Sequence, residues 1–192
     1  MKSLEERILK EAKFIDNKIV KVDGFLNHKL DCNFLVEIGK EFGKFFDFEK
    51  CDVILTSEAS GIAIATAAGI VHNKPVIFAK KAKSDNINDD FYQYQIHSFT
   101  YNKDVNLICS KEWLVKGSKV IVIDDFMANG QAVKGLINIC EQAECELLGV
   151  GIVIEKGFQQ GGQEIRDMGI NLKSLAIIDS IENNVPVFRE ND

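Results

Sequence analysis

The amino-acid sequence predicts an α/β protein with one central parallel β-sheet flanked by helices. Along most of the 192-residue chain, β-favouring apolar runs alternate with segments of helical spacing, which is the order that parallel βαβ units produce. The run 119–123 has the composition of a buried strand, and Asp124 and Asp125 follow it directly. A turn that contains Gly130 follows, and helical spacing resumes from Val133.

The first half of the chain predicts three helices and three strands. Ser3 and Glu6 fit a capping box, and Leu4, Ile8 and Ala12 recur at helical spacing, so a helix begins near residue 3. Runs rich in Val and Ile predict strands at residues 18–22, 52–56 and 75–79. Apolar spacing predicts further helices at residues 33–46 and 62–71.

The second half begins with a polar segment, residues 80–90, which predicts a flexible loop of the kind that often carries function. The extended pattern of residues 91–100 and 105–108 indicates a β-hairpin. Strands are predicted at residues 119–124, 146–155 and 172–178, and helices at residues 130–142 and 159–168.

The length of the chain favours a single domain, residues 1–192. A chain of 192 residues can bury one substantial core, and no repeat, low-complexity tract or Pro/Gly-rich linker divides it. A small additional unit, called the hood below, is predicted from roughly residues 1–33 and part of the carboxyl-terminal end.

Charge and composition argue against several classes of partner. The net charge of −6 and the pI near 5.2 disfavour nucleic-acid binding, which normally needs a basic face. No apolar run approaches the roughly 20 residues of a membrane helix, and the amino terminus lacks the apolar region of a signal peptide. The five cysteines are odd in number and form no C-x-x-C pair, so we expect reduced thiols in a cytoplasmic protein. Without a membrane-length apolar run, we expect no membrane partner.

The segment after residue 123 predicts a site for a phosphorylated sugar. Ligands of open parallel sheets bind beyond the carboxyl ends of the strands, and a turn that opens a helix offers free N–H groups to a phosphate. Asp124 and Asp125 would repel a phosphate, so sugar hydroxyls or a metal ion suit them better. Taken alone, the pattern also fits a structural strand with solvated acids, or an acidic pocket of the receiver type. Successive strand residues point to opposite faces, so one acid could serve structure more than substrate.

Three separated segments carry a resemblance to a known family. Residues 124–132 (DDFMANGQA) resemble the phosphoribosyl-diphosphate (PRPP) signature of the type I phosphoribosyltransferases. Residues 20–28 (VKVDGFLNH) and 149–156 (GVGIVIEK) resemble the branch of that family that acts on xanthine in low-GC bacteria. The resemblance implies the type I phosphoribosyltransferase fold with an N-terminal hood and a flexible loop. It also implies transfer of 5-phosphoribosyl from PRPP to xanthine, giving xanthosine 5′-monophosphate and pyrophosphate in purine salvage.

The resemblance implies roles for the residues that would bind PRPP. Asp124 and Asp125 would be catalytic, holding the ribose 2- and 3-hydroxyls and favouring the cationic centre that forms as pyrophosphate departs. The 5-phosphate would be bound by Ala128, Asn129, Gly130, Gln131 and Ala132. The pyrophosphate would meet the backbone of Ser57, Glu58, Ala59, Ser60 and Gly61.

For the base, the resemblance implies contacts with Val20, Asn27 and Lys156. From the residues alone, Lys156 also fits a surface lysine and Asn27 a turn-shaping residue. The resemblance further implies a homodimer, and Mg²⁺ carried mainly by PRPP rather than by protein ligands.

Two departures from the wider family and three rival functions remain open at this point. Asn129 and Gln131 stand where many relatives have Thr, and the turn 57–61 contains no Lys or Arg, so which cation meets the pyrophosphate is open. Lysines of residues 80–90 could close over the pyrophosphate.

The rival functions are phosphoribosyl transfer to another purine base, PRPP-dependent regulation of transcription, and RNA-binding attenuation. The acidic balance disfavours the last two.

Overall fold

The structure is a computed structural model that describes residues 1–82, 90–98 and 103–190. The helices in these ranges are α1 (Lys2–Glu11), α2 (Cys32–Phe42), α3 (Ser60–His72), α4 (Gln131–Gln142) and α5 (Gly161–Asp167). The strands are β1 (Lys13–Ile15), β2 (Ile19–Lys21), β3 (Val53–Ser57), β4 (Val76–Ala82), β5 (Phe91–Ser98), β6 (Lys103–Ser110), β7 (Lys119–Met127), β8 (Glu146–Lys156), β9 (Leu172–Glu182) and β10 (Val185–Phe188). A π-helical turn covers Asp23–Asn27, and a 3₁₀ turn covers Phe48–Lys50.

The central sheet is mostly parallel, as the sequence predicts. Its strand order is β10-β9-β8-β7-β3-β4-β6-β5. The five inner strands from β9 to β4 run parallel, whereas β10 pairs antiparallel with β9, and β6 pairs antiparallel with both β4 and β5. The parallel strands place their carboxyl ends at one edge of the sheet.

Strand β7 shows why a parallel sheet forms at the centre. Its residues from Val120 to Asp125 are all buried, which requires cover on both faces of the sheet. Ile121 and Ile123 pack in the apolar cluster formed with the hood, α2 and α3. Val120 and Val122 pack in the cluster formed with α4, β5 and β6 on the opposite face. The alternation of strand side chains therefore divides the core into two layers.

The hood joins the amino-terminal segment to the last hairpin of the sheet. Strands β1 and β2 form a two-stranded antiparallel ribbon, and α1 packs against β9 and β10. The side chain of Asn17, in the turn of the ribbon, accepts from the backbone N–H of Asn184 at 3.0 Å. These contacts link the two parts of the predicted hood, and the single-domain organisation stays a prediction.

Several boundaries differ from those predicted. Helix 33–46 ends early, at Phe42, because the chain turns at Gly43 so that Phe46 can enter the core. Strand 75–79 continues to Ala82, because its end pairs with β6. The predicted loop 80–90 is therefore part strand, and its residues 83–89 lie outside the described residues. Residues 99–102, which include the last two residues of the predicted segment 91–100, also lie outside them.

Two further differences concern the carboxyl-terminal part. The helix predicted at residues 159–168 is the shorter α5, and β10 was not predicted. Strand β10 follows a two-residue turn, Asn183–Asn184, in which both residues have positive φ, the geometry of a tight hairpin. Within the described ranges, no helix is long and apolar enough to cross a membrane.

Candidate active site

Most of the predicted site residues lie at the carboxyl edge of the parallel strands, whereas Val20 and Asn27 lie in the hood. Strands β3 and β7 are hydrogen-bonded neighbours, and β8 follows on the other side of β7. The turn 57–61 leaves the end of β3, loop 128–132 leaves the end of β7, and Lys156 is the last residue of β8. Ligands of open parallel sheets bind at this edge.

The turn 57–61 connects β3 to α3 and is held by β4. The backbone N–H of Glu58 donates to Ala79 O at 3.0 Å, and the Glu58 carboxylate accepts from the backbone N–H of Lys81 at 2.7 Å. The Glu58–Ala59 peptide is cis. Because α3 begins at Ser60, the N–H groups of Ser60 and Gly61 lack the partners of a helix interior and suit an anion, whereas the Ile62 N–H donates to Ala59 O at 3.3 Å. Lys81 therefore lies beside a turn that has no cation of its own.

Asp124 is held inside the protein, between the end of β7 and this turn. It is 4% exposed; one carboxylate oxygen accepts from the Ser57 hydroxyl at 3.3 Å, and the other accepts from the Asp125 N–H at 3.1 Å. Burial raises the pKa of Asp124 well above its ordinary value, and the neighbouring Asp125 charge raises it further. Burial thus disfavours the charged form of Asp124. Gly61 lies so close that a Cβ there would overlap both Asp124 and the buried hydroxyl of Thr56.

Loop 128–132 forms one wall of a cavity of about 170 Å³. Gly130 has a φ of 72° and immediately precedes α4, so it allows the sharp entry into the helix. The other lining residues are Lys81, Ile96, His97, Phe126 and Val133. The imidazole of His97 also lies 2.9 Å from the Asp104 carboxylate. Free helix N–H groups and two basic side chains make this cavity suited to a phosphate.

The hood covers the end of β8. The Lys156 ammonium donates to the backbone carbonyl of Lys18 at 3.4 Å, next to β2, where Val20 is buried. Burial lowers the pKa of Lys156 below the ordinary lysine value. The Asn27 side-chain oxygen is buried, and it has no hydrogen-bond partner among the described residues. A buried, unpaired carbonyl oxygen is costly, so Asn27 is an unsatisfied polar position of the hood.

Comparison with known proteins decides the family. Xanthine phosphoribosyltransferase 1 of Clostridium perfringens is 52% identical over 190 residues, which cover 98% of this chain and 100% of the relative. The chain belongs to the xanthine phosphoribosyltransferase family. Over the same share of each chain, xanthine phosphoribosyltransferase of Clostridioides difficile is 48% identical and xanthine phosphoribosyltransferase 2 of Clostridium botulinum is 49% identical. Comparison with models of protein families gave no match.

Solved structures confirm the type I phosphoribosyltransferase fold. Adenine phosphoribosyltransferase of Trypanosoma brucei, in complex with AMP, pyrophosphate and ribose-5-phosphate, superposes with a TM-score of 0.71 at 16% identity, over 91% of this chain and 79% of that chain. The adenine enzyme of Thermoanaerobacter pseudethanolicus gives 0.69 at 17% identity, over 90% of this chain and 98% of that chain. At such low identity the likeness shows the fold alone.

The structure brings the predicted segments to one edge and adds residues that sequence reasoning missed. Glu155 is buried and bonded to Arg166, and Gly161 and Gly162 pack between this pair and loop 128–132. The consecutive glycines at the start of a helix were the available signal, because Gly is uncommon in a helix unless a close approach requires it. Which lysine lies beside the turn could not be predicted from the run at 80–83, and the backbone bond of Lys81 identifies it among the described residues.

Neutralising the two acids of this phosphoribosyltransferase should have unequal effects. If Asp125 lies beside the developing positive charge, Asp125→Asn removes that carboxylate, and we expect kcat to fall by about 100-fold. Asp124→Asn removes a charge that burial already disfavours, so its loss should be roughly tenfold smaller. Steady-state kinetics of both variants tests this, and equal losses would contradict it.

Proposed function

We propose that the protein transfers the 5-phosphoribosyl group of PRPP to xanthine, forming xanthosine 5′-monophosphate and pyrophosphate. The observation that carries the choice of base is the position of Lys156, whose partly buried ammonium donates to Lys18 O in the hood. Relatives about half identical over the full length carry the name of this activity. The reaction belongs to purine salvage.

Each part of PRPP has a matching group in the site. Loop 128–132 and the first turn of α4 would hold the 5-phosphate through backbone N–H groups. Asp124 and Asp125 would face the ribose, with Asp125 as the more exposed acid at 8%. The turn 57–61 and the Lys81 ammonium would meet the pyrophosphate. Lys81 would thereby supply the cation that the turn itself lacks, since its backbone is bonded to Glu58 in that turn.

The chemical step exchanges a C–O bond for a C–N bond at the ribose C1. A nitrogen lone pair of the base forms the new bond, and the C1–oxygen pair leaves with pyrophosphate. The ring carries positive charge as the old bond breaks, and a fixed carboxylate at Asp125 would stabilise that charge without rearrangement. Xanthine readily gives up a proton near neutral pH, and the Lys156 ammonium would favour the resulting anion.

Selectivity would arise from the groups opposite C2 and C6 of the base. Xanthine has oxygens at both positions, which suit the donors of Lys156 and of the Asn27 amide. Guanine has an amino group at C2, which would face a donor and leave it unpaired. An unpaired buried polar group is an effective means of rejection.

Mg²⁺ is the metal that this site would use, together with PRPP. The described ranges contain no group of three His, Cys, Asp or Glu side chains that could hold a metal ion, so PRPP oxygens and water would have to supply most ligands. The Asp125 carboxylate is a hard oxygen donor and fits such an ion. When bound, Mg²⁺ would neutralise charge on the departing pyrophosphate.

Two further properties belong to this proposal. We propose a homodimer, supported by an exposed apolar groove that is lined by Phe78, Trp113 and Val115, with Trp113 65% exposed. Sedimentation velocity tests it.

We also propose that the protein works in the cytoplasm, since all five cysteines are free thiols, as is typical of a reducing compartment.

The experiment that tests the function is a spectrophotometric assay with PRPP and each of xanthine, guanine, hypoxanthine and adenine, with and without Mg²⁺. We expect a clear preference for xanthine, and loss of turnover when Mg²⁺ is chelated. Preference for another base would overturn the roles of Lys156 and Asn27 but keep the PRPP site. Binding of PRPP without turnover of any base would favour a regulator instead.

A further inference from the structure

A buried carboxylate beside the site has no part in the roles described so far. Glu155, on β8, is 1% exposed. Its two oxygens each accept from one terminal nitrogen of Arg166 at 2.7 Å, and Oε2 also accepts from the Ser174 hydroxyl. Bidentate pairs between arginine and carboxylate are strong and fix the orientation of both groups. Glu155 therefore joins β8 to α5 and to β9.

The first two residues of α5 lie between this carboxylate and loop 128–132. A Cβ on Gly162 would come closer than 3.0 Å to Glu155 and to Arg166. A Cβ on Gly161 would come closer than 3.0 Å to the backbone of Ala128 and Gly130, and the Gly161 N–H donates to Ala128 O at 3.2 Å. The paired glycines thus let α5 contact Glu155 on one side and the loop on the other.

Glu155 also lies in register with both ends of the site. It pairs on the neighbouring strand with Met127, the residue just before loop 128–132, and it directly precedes Lys156. An ion pair between Lys134 and Glu164 adds a second link between the helix after the loop and α5. The positions of the loop and of Lys156 are therefore fixed through the same strand end and the same short helix.

We propose that Glu155 is a positioning residue that sets the distance between the 5-phosphate of PRPP and the base. Through Arg166 and the two glycines it holds loop 128–132, and through the backbone it holds Lys156. The part that concerns the base rests on the proposed function. The part that concerns the loop requires only that the protein binds PRPP.

Glu155→Gln keeps the size of the side chain and removes its charge, so Arg166 is held less firmly. We expect PRPP affinity, measured by calorimetry, to fall about tenfold, and kcat/KM for PRPP to fall about 100-fold, since small misplacements of reacting groups have effects of this size. Both kcat and the KM for PRPP should change. A residue that only stabilises the fold would lower the melting temperature and leave these constants of the folded enzyme unchanged.

Two variants provide matched controls. Val120→Ala removes buried apolar volume at the other end of β7, so it should lower the melting temperature but leave PRPP affinity unchanged. Glu144→Gln breaks an exposed ion pair with Lys116 and should change neither quantity. If Glu155→Gln affects PRPP binding no more than Val120→Ala does, the positioning role is wrong.

A double-mutant cycle tests the route through α5. Gly162→Ala displaces the same contact, so its effect on PRPP affinity should not add to that of Glu155→Gln, and additive effects would overturn the inference. If Glu155→Gln fails to fold, the double variant Glu155→Gln/Arg166→Gln replaces the ion pair by two neutral amides. Its PRPP affinity is then measured in place of that of Glu155→Gln, with the same expected fall. A wild-type protein that binds PRPP but rejects xanthine would overturn the proposed function and leave the calorimetric test of Glu155 intact. Failure of the wild-type protein to bind PRPP would overturn both.

Discussion

Replacing Lys156 by methionine is expected to lower kcat/KM for xanthine about 100-fold, while PRPP affinity stays within about twofold of the wild-type value. Methionine fills the space of the aliphatic stem but cannot donate to a base oxygen or favour the xanthine anion. The ammonium is partly buried beneath the hood, away from the loop that would bind the 5-phosphate, so PRPP should retain its contacts. Kinetics with xanthine as the varied substrate and calorimetry with PRPP measure the two quantities.

The loss should not arise from unfolding. Because burial lowers the pKa of Lys156, its protonated form makes an unfavourable contribution to stability below that pKa, and this contribution disappears as the pH rises toward 10.5. Lys156→Met is therefore expected to keep or raise the melting temperature at neutral pH. Lys173→Met, at an exposed position on β9, serves as the control and should leave xanthine kinetics unchanged. A loss of PRPP affinity that matches the loss for xanthine would contradict the assignment to the base.

The pH dependence of kcat/KM gives an independent readout of the same residue. We expect the wild-type value for xanthine to fall at alkaline pH, with one component whose midpoint is below 10.5, because the Lys156 ammonium loses its proton there. Ionisation of free xanthine gives a second component that does not depend on the protein. Lys156→Arg keeps its charge throughout this range, so only the xanthine component should remain. If Lys156→Met, Lys156→Arg and the wild-type enzyme share one pH profile, Lys156 does not contact the base as a cation.

Replacing Gly61 by alanine is expected to reduce kcat/KM for PRPP by about 100-fold or more. A Cβ at this position would overlap the Asp124 carboxylate and the Thr56 hydroxyl, both of which are buried. Asp124 is bonded to Ser57 in the turn, so the acid and the turn would have to move together. Overpacking of this kind also costs roughly 1–3 kcal/mol of stability. Steady-state kinetics and calorimetric titration with PRPP measure the effect on the site, and thermal unfolding measures the effect on stability.

Two other glycines separate the effect on the site from the effect on stability. At Gly69 a Cβ would meet Lys74 O and the Val76 side chain closer than 3.0 Å, so Gly69→Ala should destabilise the fold yet bind PRPP normally when folded. At Gly24 a Cβ would meet no atom within 4 Å, and Gly24→Ala should change neither quantity. Normal PRPP binding by folded Gly61→Ala would show that the contact with Asp124 does not position the turn.

The sequence alone was sufficient for the features that depend on contiguous residues. The strand that contains Asp124 and Asp125, the turn at Gly130 and the following helix all come from one stretch in which apolar periodicity and turn chemistry agree. The alternation of strands and helices then predicted the parallel sheet. The xanthine phosphoribosyltransferase family was likewise recognisable, because three short segments matched it in the same order along the chain.

Only the tertiary structure decided how these pieces act on one another. The contacts of the Asp124 carboxylate depend on Ser57 and Gly61, more than 60 residues away in sequence. Which lysine lies beside the turn depends on a bond between Glu58 and the backbone of Lys81. Burial, unpaired polar atoms and pKa shifts are properties of packing between distant segments, and no local propensity encodes them. For the same reason the Glu155–Arg166 pair, which joins β8 to α5 beside loop 128–132, could be identified only from the tertiary structure.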